Sequence, residues 1–289
     1  MICTLCPRNC GAERTAEKAG GVCAMPSNPV CAKAQLHLWE EPCLTGGRGA
    51  GTVFFSGCNL RCRFCQNGVI SREGYGKPID AHRLREIYLE LIGAGAACID
   101  LVTPTQFTPV ILDSLKEPLP VPVVWNSGGY EKPETLELLA GKVQIYLPDL
   151  KYALSRPAKE YSDAGDYFHW ASAAILEMFR QTGPYRMENG QLKSGVLIRH
   201  LLLPGEMENT RRCIDWVAET FRPGDVLFSL MSQYTPQPGA SGKLARHVTR
   251  AEYAAAGEYL RNCGITAGYT QERTSAVREY TPVFDLTGI

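Results

Sequence analysis

No stretch of the 289-residue sequence approaches the roughly 20 consecutive apolar residues of a membrane-spanning helix. The opening, MICTLCPRNC, has no charged segment leading into an apolar run and a small-residue cleavage site, so the sequence predicts a cytoplasmic protein with no membrane partner. An excess of either charge is missing as well: 30 Lys and Arg balance 30 Asp and Glu. No long-range field then gathers nucleic acid or anionic lipid, and a nucleic-acid partner would need a local patch. The third shortage is local. GCNLRCRFCQN, Gly57 to Asn67, carries Cys58, Cys62 and Cys65 and stops at three. A structural zinc site closes with four ligands, and a 4Fe-4S cluster held by the chain alone also takes four.

What is present bounds the class. With 45% apolar and 21% charged residues, the chain is long enough for one large core and a small appendage. It holds 12 cysteines, and in a reducing compartment clustered thiols are metal ligands more often than disulfides. Nine precede Arg72; Cys98, Cys213 and Cys263 are scattered and read as small buried hydrophobes.

After residue 50, apolar strands alternate with amphipathic helices. Strands are expected at Thr52 to Gly57, Ala97 to Pro104, Pro120 to Ser127, Val143 to Tyr152, Gly195 to Gly205 and Asp225 to Ser232. Helices are expected after a cap at Asp80, at Val110 to Leu115, Pro133 to Ala140, Ala171 to Gln181, Asn209 to Phe221 and Arg250 to Asn262, and a final extended piece is ITAGYTQ. Such alternation means a parallel sheet covered by helices, and six units suggest an incomplete barrel. The sequence therefore divides into a cysteine-rich extension, 1–50, and a barrel domain, 51–289.

Chemistry in such folds gathers at the carboxyl ends of the strands. Three cysteines at that mouth would hold three irons of a 4Fe-4S cluster and leave the fourth open to an outside ligand. The spacing, with Phe64 before the last cysteine, resembles the signature of the radical S-adenosylmethionine (SAM) superfamily. FFSGCNLRCRFCQN, CTLCPRNC with GGVC, LHLWEEP, VTPTQFTP, WNSGGY, LPDLKY, IRHLLLPG and YTPQ resemble its branch related to the pyruvate formate-lyase activating enzyme, and are similar to the radical SAM component of the AmmeMemoRadiSam system.

That resemblance implies a partial (β/α)6 barrel, SAM on the open iron, and reductive cleavage to methionine and a 5′-deoxyadenosyl radical. It also implies a low-potential electron donor, flavodoxin or ferredoxin. Many relatives hold the SAM amino group with a Gly-Gly-Glu-like stretch; here Thr103, Pro104 and Thr105 stand in that place, so hydroxyl and carbonyl acceptors would replace a carboxylate. Asn126, Asp149 and Lys151 fall where ribose, carboxylate or substrate contacts are expected. Asp149 and Lys151 also read as a solvated pair. Arg199 and His200 must point to opposite faces of a regular strand, and the planar fork of Arg199 suits the SAM carboxylate. His200 is then a satisfied core histidine. Gln233 and Tyr234 could close the site from the far side, with Gln271 and Glu272 weaker candidates.

Cys3, Cys6, Cys10 and Cys23 lie among turn-forming Gly and Pro and could complete a second site, zinc or iron–sulfur, with Cys31 or Cys43 as a substitute ligand. The segment Leu36 to Pro42, with His37, Glu40 and Glu41, reads equally as part of the substrate mouth or as a solvated connector. The leading function is hydrogen abstraction from a glycine residue of a partner enzyme or from a smaller substrate, RNA being a further substrate class. The reading from another class is a noncatalytic electron carrier or metal-binding adaptor.

Overall fold

The computed structural model describes residues 2–270 and 282–289. Among these the strands are β1 (Val30–His37), β2 (Ala50–Phe55), β3 (Lys77–Pro78), β4 (Ile99–Val102), β5 (Val123–Ser127), β6 (Ile145–Pro148), β7 (Arg186–Glu188), β8 (Gln191–Leu201), β9 (Leu227–Met231) and β10 (Gly268–Thr270). The α-helices are α1 (Pro42–Thr45), α2 (Gly68–Ser71), α3 (Ala81–Gly93), α4 (Thr108–Ser114), α5 (Pro133–Glu137), α6 (Ser155–Ser162), α7 (Tyr167–Thr182), α8 (Met207–Thr220) and α9 (Arg250–Asn262). One sheet runs β10-β9-β8-β6-β5-β4-β2-β1-β3, with β7 hairpinned onto β8. Neighbours from β2 to β10 along that path pair in parallel, whereas β1 is antiparallel to β2 and β3. This is the partial (β/α)6 barrel expected from sequence.

The alternation of side chains along each strand sorts the two faces. Val53, Ile99, Leu101, Val123, Trp125, Tyr146, Val196, Ile198 and Phe228 face outward and share a core with the helices, including Leu84, Ile87, Ile175 and Ile214. The inward set begins with an apolar floor of Ala50, Cys98, Val124, Ile145, Leu147, Leu197 and Leu227. The short helix α1 plugs that floor with Cys43 and Leu44. Asp80 caps α3 by accepting from the Arg83 amide at 2.8 Å, as the sequence predicts.

The expected boundary at residue 50 does not follow the sheet. β1 lies in the presumed extension yet is hydrogen-bonded along β2, from Cys31 opposite Phe55 to His37 opposite Ala50. Its other edge receives the C-terminal tail: the Ala34 amide donates to the Thr287 carbonyl at 2.9 Å and the Leu286 amide to the Ala32 carbonyl at 3.1 Å. Phe284 packs edge-on against Phe54, ring centres 5.6 Å apart, and Lys33 reaches Asp285 at 2.9 Å. α6 was not expected. Its sequence, SRPAKEYS, is short and strongly polar, and only Pro157, Ala158, Tyr161 and Ser162 are buried.

Candidate functional site

β2 runs straight into the cysteine loop. At the turn, Gly57 takes φ +77°, and a Cβ there would lie 2.2 Å from Met25 Cγ and 2.9 Å from the Cys23 carbonyl. Glycine is required by conformation and by space. Asn59, buried on the loop, donates to the Tyr130 carbonyl at 2.7 Å, and its own carbonyl accepts from Arg8 Nε at 2.7 Å. The remaining Arg8 nitrogens donate to the Ser162 and Asp163 carbonyls. The loop is thus clamped between the N-terminal segment, the β5 end and the C-terminal end of α6.

Cys58, Cys62 and Cys65 come together at this mouth. Burial pushes the Cys58 thiol up to about 12, and the Cys62 and Cys65 thiols push it the same way. Burial raises Cys62 as well, while the Lys151 ammonium pulls it down. Cys62 Sγ accepts a hydrogen bond from Ser162 Oγ at 3.0 Å, and the Leu60 amide lies 3.4 Å from Cys58 Sγ. Among the described residues, no three His, Cys, Asp or Glu side chains are gathered tightly enough to hold one metal ion. A donor set that serves separate irons of one cluster is not gathered that way. Three thiols beside donors that stabilise thiolate negative charge fit such a cluster.

Behind the loop, Phe64 is buried edge-on to Tyr152, Tyr161 and Tyr234, with ring centres 6.4–6.5 Å away. A cleft of about 170 Å³ opens beside it, lined among others by Arg63, Tyr161, Tyr234 and Leu244. Gln66 Nε2 donates to the Gln233 carbonyl at 3.1 Å, bringing the end of the last long strand onto the cysteine loop.

A polar layer lies between the loop and the apolar floor. Arg199 on β8 points inward: Nε donates to Asp149 Oδ1 at 3.0 Å, Nη2 to Asn126 Oδ1 at 2.6 Å, and Nη1 to Glu40 Oε1 at 3.4 Å. Asp149 also pairs with Lys151. Burial alone would raise Asp149, but Arg199 and Lys151 outweigh it and hold the carboxyl below the usual range. Burial would likewise lower Lys151, yet Asp149 and Cys62 keep it charged. A charged path therefore runs from Cys62 through Lys151 and Asp149 to Arg199. The reading of Asp149 and Lys151 as a merely solvated pair is corrected here, since their side chains are only 14% and 16% exposed.

His200, on the opposite face, bonds the Leu150 carbonyl at 2.6 Å and Thr210 Oγ1 at 3.0 Å, and burial lowers it to about 4. It is a satisfied core histidine. Thr103 sits at the end of β4 with φ +62°, rare for a β-branched residue, and its carbonyl accepts from Gln106. Thr105 is buried and its hydroxyl donates to Glu131 Oε1 at 2.8 Å, so that hydroxyl is turned to a structural partner. Glu131, fully enclosed, also accepts from Trp125 and Ser127 and ties the β4 and β5 ends together. Sequence reading passed over it; WNSGGYE offers no spacing that separates it from a surface acid.

LHLWEEP resolves unevenly. Leu38 and Trp39 are 59% and 65% exposed, whereas Glu40 and Glu41 turn into the barrel beside Arg199. The solvated-connector reading fails for the two acids.

Cys3, Cys6, Cys10 and Cys23 share one small folded unit. Burial raises Cys6 to about 11, with Cys3 and Cys23 adding to the rise, and Cys23 also feels Cys10. Arg14 Nη1 lies 3.3 Å from Cys3 Sγ. The absence of any single-ion grouping among the described residues covers this quartet too. Burial alone raises the Cys31 thiol, and the side chains that act on Cys43 are Tyr269, Glu41 and Glu40, so neither is grouped with the quartet. Gln271 and Glu272 lie outside the described residues.

Residues 45–103 match the model of a 4Fe-4S single cluster domain. Over 245 residues the chain is 28% identical to an uncharacterized protein of Methanocaldococcus jannaschii, covering 81% of this chain and 66% of that protein. SuiB of Streptococcus suis superposes with a TM-score of 0.52 at 15% identity, over 77% of this chain and 48% of SuiB. SuiB is also known bound to S-adenosylmethionine and bound to its precursor peptide SuiA. HydG, a maturase of the [FeFe]-hydrogenase, superposes at 0.52 and 14% identity, over 80% of this chain and 54% of HydG. At such identities the likeness shows the shared fold. The chain spans about half the length of these two enzymes.

Proposed function

We propose that this chain is a radical SAM enzyme. Cys58, Cys62 and Cys65 hold a 4Fe-4S cluster whose open iron takes SAM, and the chemistry supplied there is one-electron cleavage of the sulfonium to a 5′-deoxyadenosyl radical that abstracts hydrogen from a substrate. The observation that carries the reading is a loop of three thiols, without a fourth cysteine, standing over a charged chamber at the carboxyl ends of the strands. A noncatalytic electron carrier has no use for that chamber.

In this reading Arg199 and Lys151 meet carboxylate oxygens of SAM, Asp149 and Asn126 accept from or donate to its polar groups, and the backbone of Thr103 and Thr105 stands where the amino group is held. Phe64 and its cleft serve the adenine side, and Gln233 closes the mouth. The clamp of Arg8, Asn59 and Tyr130 fixes the loop, because a misplaced reacting atom loses most of the benefit of positioning. Electrons come from a flavodoxin or ferredoxin in a cytoplasmic setting. The finer reading, an oxidoreductase that activates a glycyl radical enzyme, rests on the sequence resemblance; the known SuiB–SuiA complex supports a polypeptide substrate only by analogy.

The test is anaerobic reconstitution followed by dithionite and SAM. The intact protein is expected to form 5′-deoxyadenosine, and Cys62→Ala is expected to form none while keeping its melting transition. An intact cluster with no product, or product from Cys62→Ala, refutes the reading.

A further inference from the structure

The inner end of the chamber holds more acid than the chain balances. Glu40, Glu41, Asp100 and Asp149 all face it; opposite them, among the described residues, stand Lys151, paired with Asp149, and Arg199, paired with both Asp149 and Glu40. Asp100 is fully buried. Its Oδ2 lies 3.3 Å from Asn126 Nδ2 and 3.5 Å from Thr52 Oγ1, its carboxyl meets that of Glu40, and no donor reaches Oδ1. Ser229, also fully buried, faces inward in register with Arg199 and lies against Glu41, and its hydroxyl is likewise without a well-formed hydrogen bond.

Buried polar atoms left this way cost stability unless a ligand meets them. Burial, followed by the nearby Glu40, pushes Glu41 up to about 7 and drives Asp100 upward as well. An organic cation placed among these acids would relieve the same repulsion.

Solvent reaches the outer part of the chamber, where the side chains of Glu40, Asp149, Arg199 and Lys151 are 12–16% exposed, and Glu41, Asp100 and Ser229 are buried behind them. Asp100 precedes the strand end at Thr103 by three residues, about 10 Å deeper at the rise of a strand. The acids therefore adjoin the charged layer, with Asp100 against Asn126, Glu40 against Arg199 and Ser229 level with Arg199, below the mouth where the cysteine loop stands. α1 closes the barrel beneath it.

We propose that Glu41, Asp100 and Ser229, with Glu40 beside them, bind the cationic end of a small-molecule substrate, an alkylammonium or guanidinium group. The inference deepens the radical SAM reading by naming a substrate class, and it disfavours the glycine of a partner protein, which carries no such charge. A guanidinium or ammonium donates several hydrogen bonds and matches the unpartnered acceptors.

The experiment is a ligand-observed NMR titration of the full-length, anaerobically reconstituted protein with 1-butylguanidinium and with its neutral isostere N-butylurea. The cation is expected to bind saturably and about tenfold or more tightly than the urea, the gap set by charge-assisted hydrogen bonds. Glu41→Gln is expected to erase that preference, and Asp100→Asn to do the same; should Asp100→Asn fail to fold, Glu41→Gln carries the test. Equal binding of cation and urea, or an unchanged preference in folded Glu41→Gln, overturns the proposal. The titration needs neither reductant nor SAM cleavage, so its failure is distinguishable from failure of the deoxyadenosine assay.

Discussion

Ser162 shows how much a single hydroxyl does at this site. It accepts a hydrogen bond from the Tyr152 hydroxyl at 2.7 Å and donates its own proton to Cys62 Sγ. A donor on a ligating sulfur stabilises the more negative, reduced cluster and raises its potential. Ser162→Ala should therefore lower the reduction potential by roughly 40 mV, taking ~1 kcal/mol for one net hydrogen bond and about 59 mV per 1.4 kcal/mol for one electron. An anaerobic redox titration checks this, and an unchanged potential would detach Ser162 from the cluster. At this scale the sequence was uneven. The three cysteines stood out by their spacing and the structure brings them onto one loop at the strand ends, and the opposite fates of Arg199 and His200 followed from strand alternation. Ser162 and Glu131 did not stand out, because each acts through a partner tens of residues away that no local pattern marks, and Glu40 and Glu41 stood undecided between the substrate mouth and a solvated connector.

Among the elements, the turn from β2 into the cysteine loop is the most constrained. Gly57→Ala would place a methyl against Met25 and the Cys23 carbonyl at a backbone conformation that L-residues rarely adopt. Strain of this kind costs about 1–3 kcal/mol. The variant should melt lower by denaturant titration and hold less iron after reconstitution. Wild-type stability would mean that the N-terminal segment does not brace the loop as described. Strand cores and long helices were readable from apolar runs and periodicity, and α9 matches the expected Arg250 to Asn262 at both ends. β1 was missed as part of the sheet because its partners, β2 and the C-terminal tail, lie on either side of it in space, and the cysteine-rich context invited a reading as an appendage.

For the molecule as a whole, the apolar floor, the charged layer and the cysteine loop form three successive levels inside one sheet, while helices cover its outer face. The sequence located the mouth but not its depth, since depth depends on which residues of each strand share a level. The central claim is that an iron at that mouth is left open for SAM. Pulsed electron paramagnetic resonance of the reduced, reconstituted protein with SAM isotopically labelled in its carboxylate and amino groups tests it most directly. The account predicts hyperfine coupling between those nuclei and the cluster; a cluster spectrum unmoved by saturating SAM, with no coupling to either label, would contradict it.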